Sequence, residues 1–186
     1  EKIPFIIHPH GGPNARDYWG YNPEVQFYAT RGYGVIQMDY RGSTGYGRKE
    51  MILANHQMGK KMQEDKYDAL MWANDQGYVD MDNVCISGAS YGGYAAMQAA
   101  TKNPELFKCI IAYVGVYDLT SMDLRGLQWS ELGMPMEYIE KGDPRDPDDY
   151  KNLYENSPLF FAENVEDPIL IITGRRDTQV LSLIHI

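Results

Sequence analysis

A chain of 186 residues, 44% hydrophobic and 23% charged, suffices for one folded domain with its own apolar core and excludes collagen, coiled-coil and wholly disordered classes. The 17 basic and 26 acidic residues leave a net charge of −9, which argues against nucleic acid and anionic membranes as partners. Apolar runs fall short of the roughly 18 residues of a membrane span, and two cysteines are too few for a disulfide framework or a four-thiolate zinc site.

The chain opens on Glu1 and enters the apolar run Ile3 to Ile7 at once, with no leader pattern. A strand this close to the start predicts that further sequence precedes it. Phe5 to His8 reads as a buried strand, followed by His8-Pro9-His10-Gly11-Gly12-Pro13. Pro23 to Arg31 reads as a short helix stopping before Gly32, and Val35 to Tyr40 as a second strand. A glycine-rich loop, Arg41-Gly42-Ser43-Thr44-Gly45-Tyr46-Gly47, comes next. Its glycines run in the reverse of the dinucleotide-binding order and no phosphate-loop lysine follows in register, so nucleotide binding is not expected.

Gln63 to Gln76 carries Tyr67, Leu70, Met71 and Asn74 at helical spacing. Val84 to Ser87, Cys109 to Val114 and Ile169 to Thr173 are further strands, and Tyr91 to Lys102 is an alanine-rich helix. Between Tyr117 and Glu166 the pattern loosens, although Asp146-Pro147-Asp148-Asp149 has the form of a capped helix start. This alternation predicts an α/β protein with a parallel sheet flanked by helices. Cys85 and Cys109 both begin apolar strands and are read as buried thiols, with a single bridge between neighbouring strands as the alternative. Cytoplasmic and periplasmic locations both stay open.

Chemistry concentrates in Gly88-Ala89-Ser90-Tyr91-Gly92, a Gly-x-Ser-x-Gly motif between a strand and a helix. A nucleophile elbow needs that context: a sharp turn lifts the serine hydroxyl to the helix N-terminus, where the free N–H of Tyr91 favours an oxyanion. The consecutive glycines of His10-Gly11-Gly12-Pro13 let the backbone present a further N–H to a bound carbonyl. His8 and His10 lack companions for a metal site. In an α/β-hydrolase the acid follows the serine, and Asp177, after a strand and Gly174, is preferred over Asp118. The expected strand order in that fold's numbering is 4-3-5-6-7, with Ser90 at a C-terminal strand edge. Neither His56 nor His185 is assigned as the base. His56 lies upstream, and His185 follows Asp177 too closely for an intervening helix and strand.

In this order His10-Gly11-Gly12-Pro13, Tyr40 to Gly47, Gly88 to Tyr94 and Gly174-x-x-Asp177-x-x-Val180 resemble the catalytic domain of the prolyl oligopeptidase family of serine peptidases, most nearly its acylaminoacyl-peptidase and dipeptidyl-peptidase-like members. The resemblance implies an α/β-hydrolase fold acting on peptides without a cofactor or metal. It implies Ser90 as nucleophile, Asp177 as triad acid, and the N–H groups of Tyr91 and Gly12 as oxyanion donors. A carboxylesterase or other acyl hydrolase, or a non-catalytic binding protein, is the alternative on the same fold.

Several features depart from the family pattern. Its members carry an N-terminal β-propeller and a catalytic histidine downstream of the acid, and some place a tyrosine where this sequence has His10. Residues 1–180 therefore read as a partial catalytic domain, incomplete at both ends and of little activity by itself. Residues 181–186, Leu-Ser-Leu-Ile-His-Ile, match one reading frame of a transposase end sequence used in DNA-library preparation and read as a non-native tail. Tyr94, Tyr113, Tyr117 and Trp129 are core by default and pocket-lining by alternative.

Overall fold

The computed structural model describes residues 1–121 and 142–177. Val180, the 181–186 tail with His185, and Trp129 lie outside them. Among the described residues five strands form one sheet: β1 Ile3–Ile7, β2 Gly34–Ile36, β3 Val79–Ala89, β4 Cys109–Tyr113 and β5 Ile169–Ile172. Every pairing is parallel and the spatial order is β2-β1-β3-β4-β5. Counted from the fold's third strand, this is the expected 4-3-5-6-7. The connecting helices are α1 Pro23–Ala29, α2 Arg48–Ile52, α3 Lys61–Asp75, α4 Tyr91–Lys102 and α5 Pro147–Glu155.

Side chains alternate across the strands and divide the core in two. Phe5, Ile7, Val84, Ile86, Ile110 and Ala112 pack on one face against Leu70 and Ala73 of α3 and Ala96, Met97 and Ala99 of α4. Ile6 and Cys85 point the other way and meet Tyr28 of α1, with Val35 and Cys109 alongside. Helix α4 is buried from Tyr91 to Thr101, as an alanine-rich helix apolar on every side should be. Helix α5 starts as predicted: the Asp146 carboxylate accepts the N–H groups of Asp148 (2.9 Å) and Asp149 (3.1 Å).

Two boundaries, one helix and the burial of one strand differ from expectation. Strand β3 begins at Val79, because Ile3 pairs with Val79 before a register shift leads into Phe5↔Val84. The polar residues Asp80, Asp82 and Asn83 hid that extension. Strand β2 stops at Ile36 rather than Tyr40, because Asp39 and Tyr40 turn away to build the site described below. Helix α2 buries none of its residues and so carries no periodic apolar signal. Outer strand β5 reads as buried, yet Leu170, Ile171 and Ile172 are 54%, 40% and 41% exposed, since the described elements leave it uncovered.

The two cysteines are not free thiols. Cys85 and Cys109 are direct register partners on β3 and β4, with Cα atoms 4.8 Å apart, and form a disulfide. The bridge closes a loop with a sequence separation of 24 residues. Replacing both cysteines by alanine should therefore cost about 3 kcal/mol. Urea unfolding of the double variant and of the oxidised protein measures this. Equal midpoints would show that the bridge adds nothing.

Candidate active site

Ser90 follows the last residue of β3 and caps α4, at φ 56° and ψ −118°. Positive φ is uncommon for a residue with a Cβ and costs of order 1–3 kcal/mol. Its surroundings hold it there. The Ser90 N–H donates to the Tyr113 carbonyl (2.9 Å), carrying the β3–β4 pairing one residue past the strand, and its own carbonyl accepts the Tyr94 N–H (2.9 Å). The Ser90 side chain makes no cap hydrogen bond, and the residue is exposed. A serine serving only as a helix cap would accept a first-turn backbone N–H on its side-chain oxygen. This hydroxyl is instead held outward at the positive end of a helix.

The turn needs close backbone approach. A methyl group on Gly92 would lie 2.2 Å from the Pro9 carbonyl oxygen. Gly92→Ala should therefore force α4 and the His8–Pro13 segment apart, at a cost of about 1–3 kcal/mol. A thermal melt reads this, and an unchanged midpoint would contradict the contact.

The glycine segment that follows β1 lies directly against the serine. A Cβ on Gly11 would sit 3.1 Å from the Ala89 carbonyl oxygen and 3.3 Å from Ser90 Cβ. The segment is braced from behind by the loop after β2. The Tyr40 hydroxyl donates to the His10 carbonyl (2.8 Å), and its ring stacks on the His10 imidazole at 4.4 Å. The imidazole is held at both nitrogens: Nε2 lies 3.0 Å from Ser43 Oγ and Nδ1 2.7 Å from the Gly11 carbonyl. Asp39 stands 3.5 Å from the same Nε2. Arg41 binds Asp65 of α3 through Nε (2.8 Å), Nη2 and its backbone N–H (3.0 Å). The Asp65 carboxyl is held below its usual range: burial would raise it, and the Arg41 hydrogen bonds outweigh that.

Asp177 lies five residues beyond β5, and its N–H donates to the Gly174 carbonyl (3.1 Å). The sheet is parallel, so the C-terminal ends of β3 and β5 form one edge, and Asp177 follows the same edge as Ser90 with β4 between. Asp118 is committed locally. Its Oδ1 accepts the Thr120 N–H (2.9 Å), the Thr120 hydroxyl (2.7 Å) and the Ser121 N–H (3.3 Å).

Comparison with known proteins shows which family shares this sequence and fold. The model of the prolyl oligopeptidase family matches residues 19–183. The chain belongs to that family. It is 39% identical over 181 residues to dipeptidyl aminopeptidase BIII of Pseudoxanthomonas mexicana, covering 96% of this chain and 26% of that protein. It is 37% identical over 177 residues to dipeptidyl peptidase family member 6 of Caenorhabditis elegans, covering 94% and 24%. A puromycin-hydrolysing peptidase of Mycobacterium tuberculosis superposes with a TM-score of 0.86 at 30% identity, over 98% of this chain and 27% of that one. The chain thus spans about a quarter of the length of the curated relatives it matches.

In this member of the prolyl oligopeptidase family the Tyr40–Gly47 motif braces the His10–Gly11 segment beside Ser90. The sequence showed the motif without that use, since only the fold brings Tyr40 and Ser43 onto His10. Tyr40 and Ser43 also line a pocket of about 510 Å³ with Asp39, Tyr46 and Glu50. The described histidines are all engaged. His8 Nδ1 meets the Ser87 carbonyl at 2.9 Å, His10 is held as above, and His56 Nδ1 lies 3.2 Å from Asp149 on α5. Tyr94 and Tyr117 are core residues, the former donating to the Asn156 carbonyl (2.8 Å), whereas Tyr113 is exposed. Asp65, which anchors Arg41 of this loop, had no motif to mark it.

Proposed function

We propose that the protein carrying this chain is a serine peptidase that cleaves short peptides through an acyl-enzyme on Ser90. The observation that carries the reading is the Ser90 turn itself: a serine at positive φ, exposed and with no side-chain cap bond, beside the Gly11 backbone, in a chain of the prolyl oligopeptidase family. In this reading Ser90 Oγ attacks the scissile carbonyl, and the new oxyanion is met by the N–H groups of Tyr91 and Gly12. A histidine outside the described residues takes the Ser90 proton and returns it to the leaving amine, and Asp177 orients that imidazole. Water then repeats the cycle on the ester and frees the acid. Two relatives, 39% and 37% identical, are named as a dipeptidyl aminopeptidase and a dipeptidyl peptidase family member, which favours removal of short N-terminal units. No cofactor enters this chemistry. An accompanying β-propeller domain that admits only short substrates fits the length of those relatives.

The test uses the full-length gene product with dipeptidyl and acylaminoacyl anilides and simple esters. A fluorophosphonate should label Ser90 stoichiometrically, and anilide turnover should disappear in proportion to labelling. Turnover of esters alone would favour the acyl-hydrolase reading, and labelling at another serine would remove Ser90 from the mechanism.

A further inference from the structure

Helix α3 carries a lysine where its inward face should be apolar. Lys66 is completely buried, and its ammonium donates to the Met62 carbonyl one turn back. Among the described residues it has no carboxylate partner within ion-pair distance: the adjacent Asp65 is committed to Arg41. Its Nζ lies instead 3.9 Å from the centre of the Tyr40 ring and 5.2 Å from that of Tyr91. Those two rings are 5.2 Å apart. Among the described residues the buried Tyr91 hydroxyl has no hydrogen-bond partner, and its ring is met through its face.

The placement joins two segments far apart in sequence. Tyr40 holds the His10 carbonyl and stacks on the His10 ring, so it fixes the backbone that leads to Gly12. Tyr91 follows Ser90 directly. We infer that Lys66 is a positioning residue for the oxyanion hole, gripping the Tyr40 and Tyr91 rings from beneath so that the two backbone donors stay in register. The inference rests on the peptidase reading above. A buried ammonium without a carboxylate is costly, and an apolar side chain of equal length would suit the core better. Cation–π attraction to two desolvated rings offsets part of that cost and lends the lysine a geometric use.

Burial lowers the Lys66 ammonium to about 7, against a smaller upward pull from Asp65. The groups that face it are Asp65 on its own helix, Arg41 on Asp65, and the phenols of Tyr40 and Tyr91, which burial keeps neutral well above the usual tyrosine range. Below about pH 7 the lysine is charged and the grip is full. As pH rises through that value the charge and the grip are lost together. Stability moves the other way. The unfolded chain keeps the lysine proton up to about pH 10.4, so stability rises with pH between the two values.

The test is steady-state kinetics on the full-length gene product carrying Lys66→Met or Lys66→Gln, with Ser90→Ala as control. Either neutral variant should lower kcat about tenfold at pH 6.5 with KM within twofold, because the hole acts on the transition state. Binding of a peptide boronate should weaken by the same factor while product affinity is unchanged. Wild-type kcat should fall to a lower plateau above about pH 7, and the variants should lack that step. A purely packing role would shift the melting temperature without moving the pH profile. Unaltered kcat in a folded neutral variant overturns the inference, and so does a flat wild-type profile from pH 7 to 9 if neither variant folds. Inactive Ser90→Ala beside unaltered Lys66→Met sinks the inference alone, whereas active Ser90→Ala sinks the peptidase reading with it.

Discussion

Replacing Ser90 by alanine in the full-length protein should lower kcat for a peptide anilide by a factor on the order of 10⁴–10⁶, with little change in stability. Loss of a nucleophile removes the covalent route, and the remaining members of the machinery cannot act without it. Residual acceleration over water, from the oxyanion donors and substrate binding, should still be about 10³–10⁴-fold. Stability should hold within about 0.5 kcal/mol, because the Ser90 side chain is exposed and makes no cap bond. The same substitution at another surface serine should leave both kcat and stability essentially unchanged. Single-turnover kinetics and a urea melt measure both halves of the prediction. Retention of a tenth or more of the wild-type kcat would end the case for Ser90, whatever its backbone geometry.

The second large effect separates two carboxylates. Asp177→Asn should reduce kcat by about 10³–10⁴-fold with KM little changed, because an amide turned toward an imidazole stabilises the wrong tautomer for taking the serine proton. Asp118→Asn should leave kcat within about threefold. Its Oδ1 is spent on the Thr120 and Ser121 N–H groups and the Thr120 hydroxyl, and an asparagine oxygen can accept the same bonds. That exchange should show as a small loss of stability, of about 1 kcal/mol or less. Both variants are read in one assay across pH 6 to 9. If Asp118→Asn is the damaging change, the acid has been misplaced by one strand of the sheet.

The pairing of these carboxylates with strands shows how far linear sequence reaches. Each strand needed only a short β-branched run, and each long helix an apolar face with a stop, so β1, β4, β5, α3 and α4 were legible to within two residues. These signals are local: they depend on the period of side-chain burial and on the absence of Cβ atoms in tight turns. The elbow was legible for the same reason, since Gly88, Ser90 and Gly92 meet the demands of a single turn. Parallel order followed from the alternation of strands and helices, because a parallel crossover has few geometries that bury both layers.

What the sequence left open depends on contacts between residues far apart in the chain. Cys85 and Cys109 read as thiols because spacing does not set a bridge, whereas their exact pairing across β3 and β4 does. The motif from Tyr40 to Gly47 was visible as a loop, yet its brace on His10 exists only because β2 and β1 lie side by side and both end at the same edge. Lys66 carried no signal at all. In a helix that is otherwise half exposed, one lysine reads as surface, and its place beneath Tyr40 and Tyr91 is decided only when α3 packs under the elbow. Period and turn chemistry are written residue by residue, and they determined the sheet, its helices and the serine. Burial of a charge, pairing of two thiols and bracing of a loop are properties of surfaces that meet, and only the tertiary structure decided them.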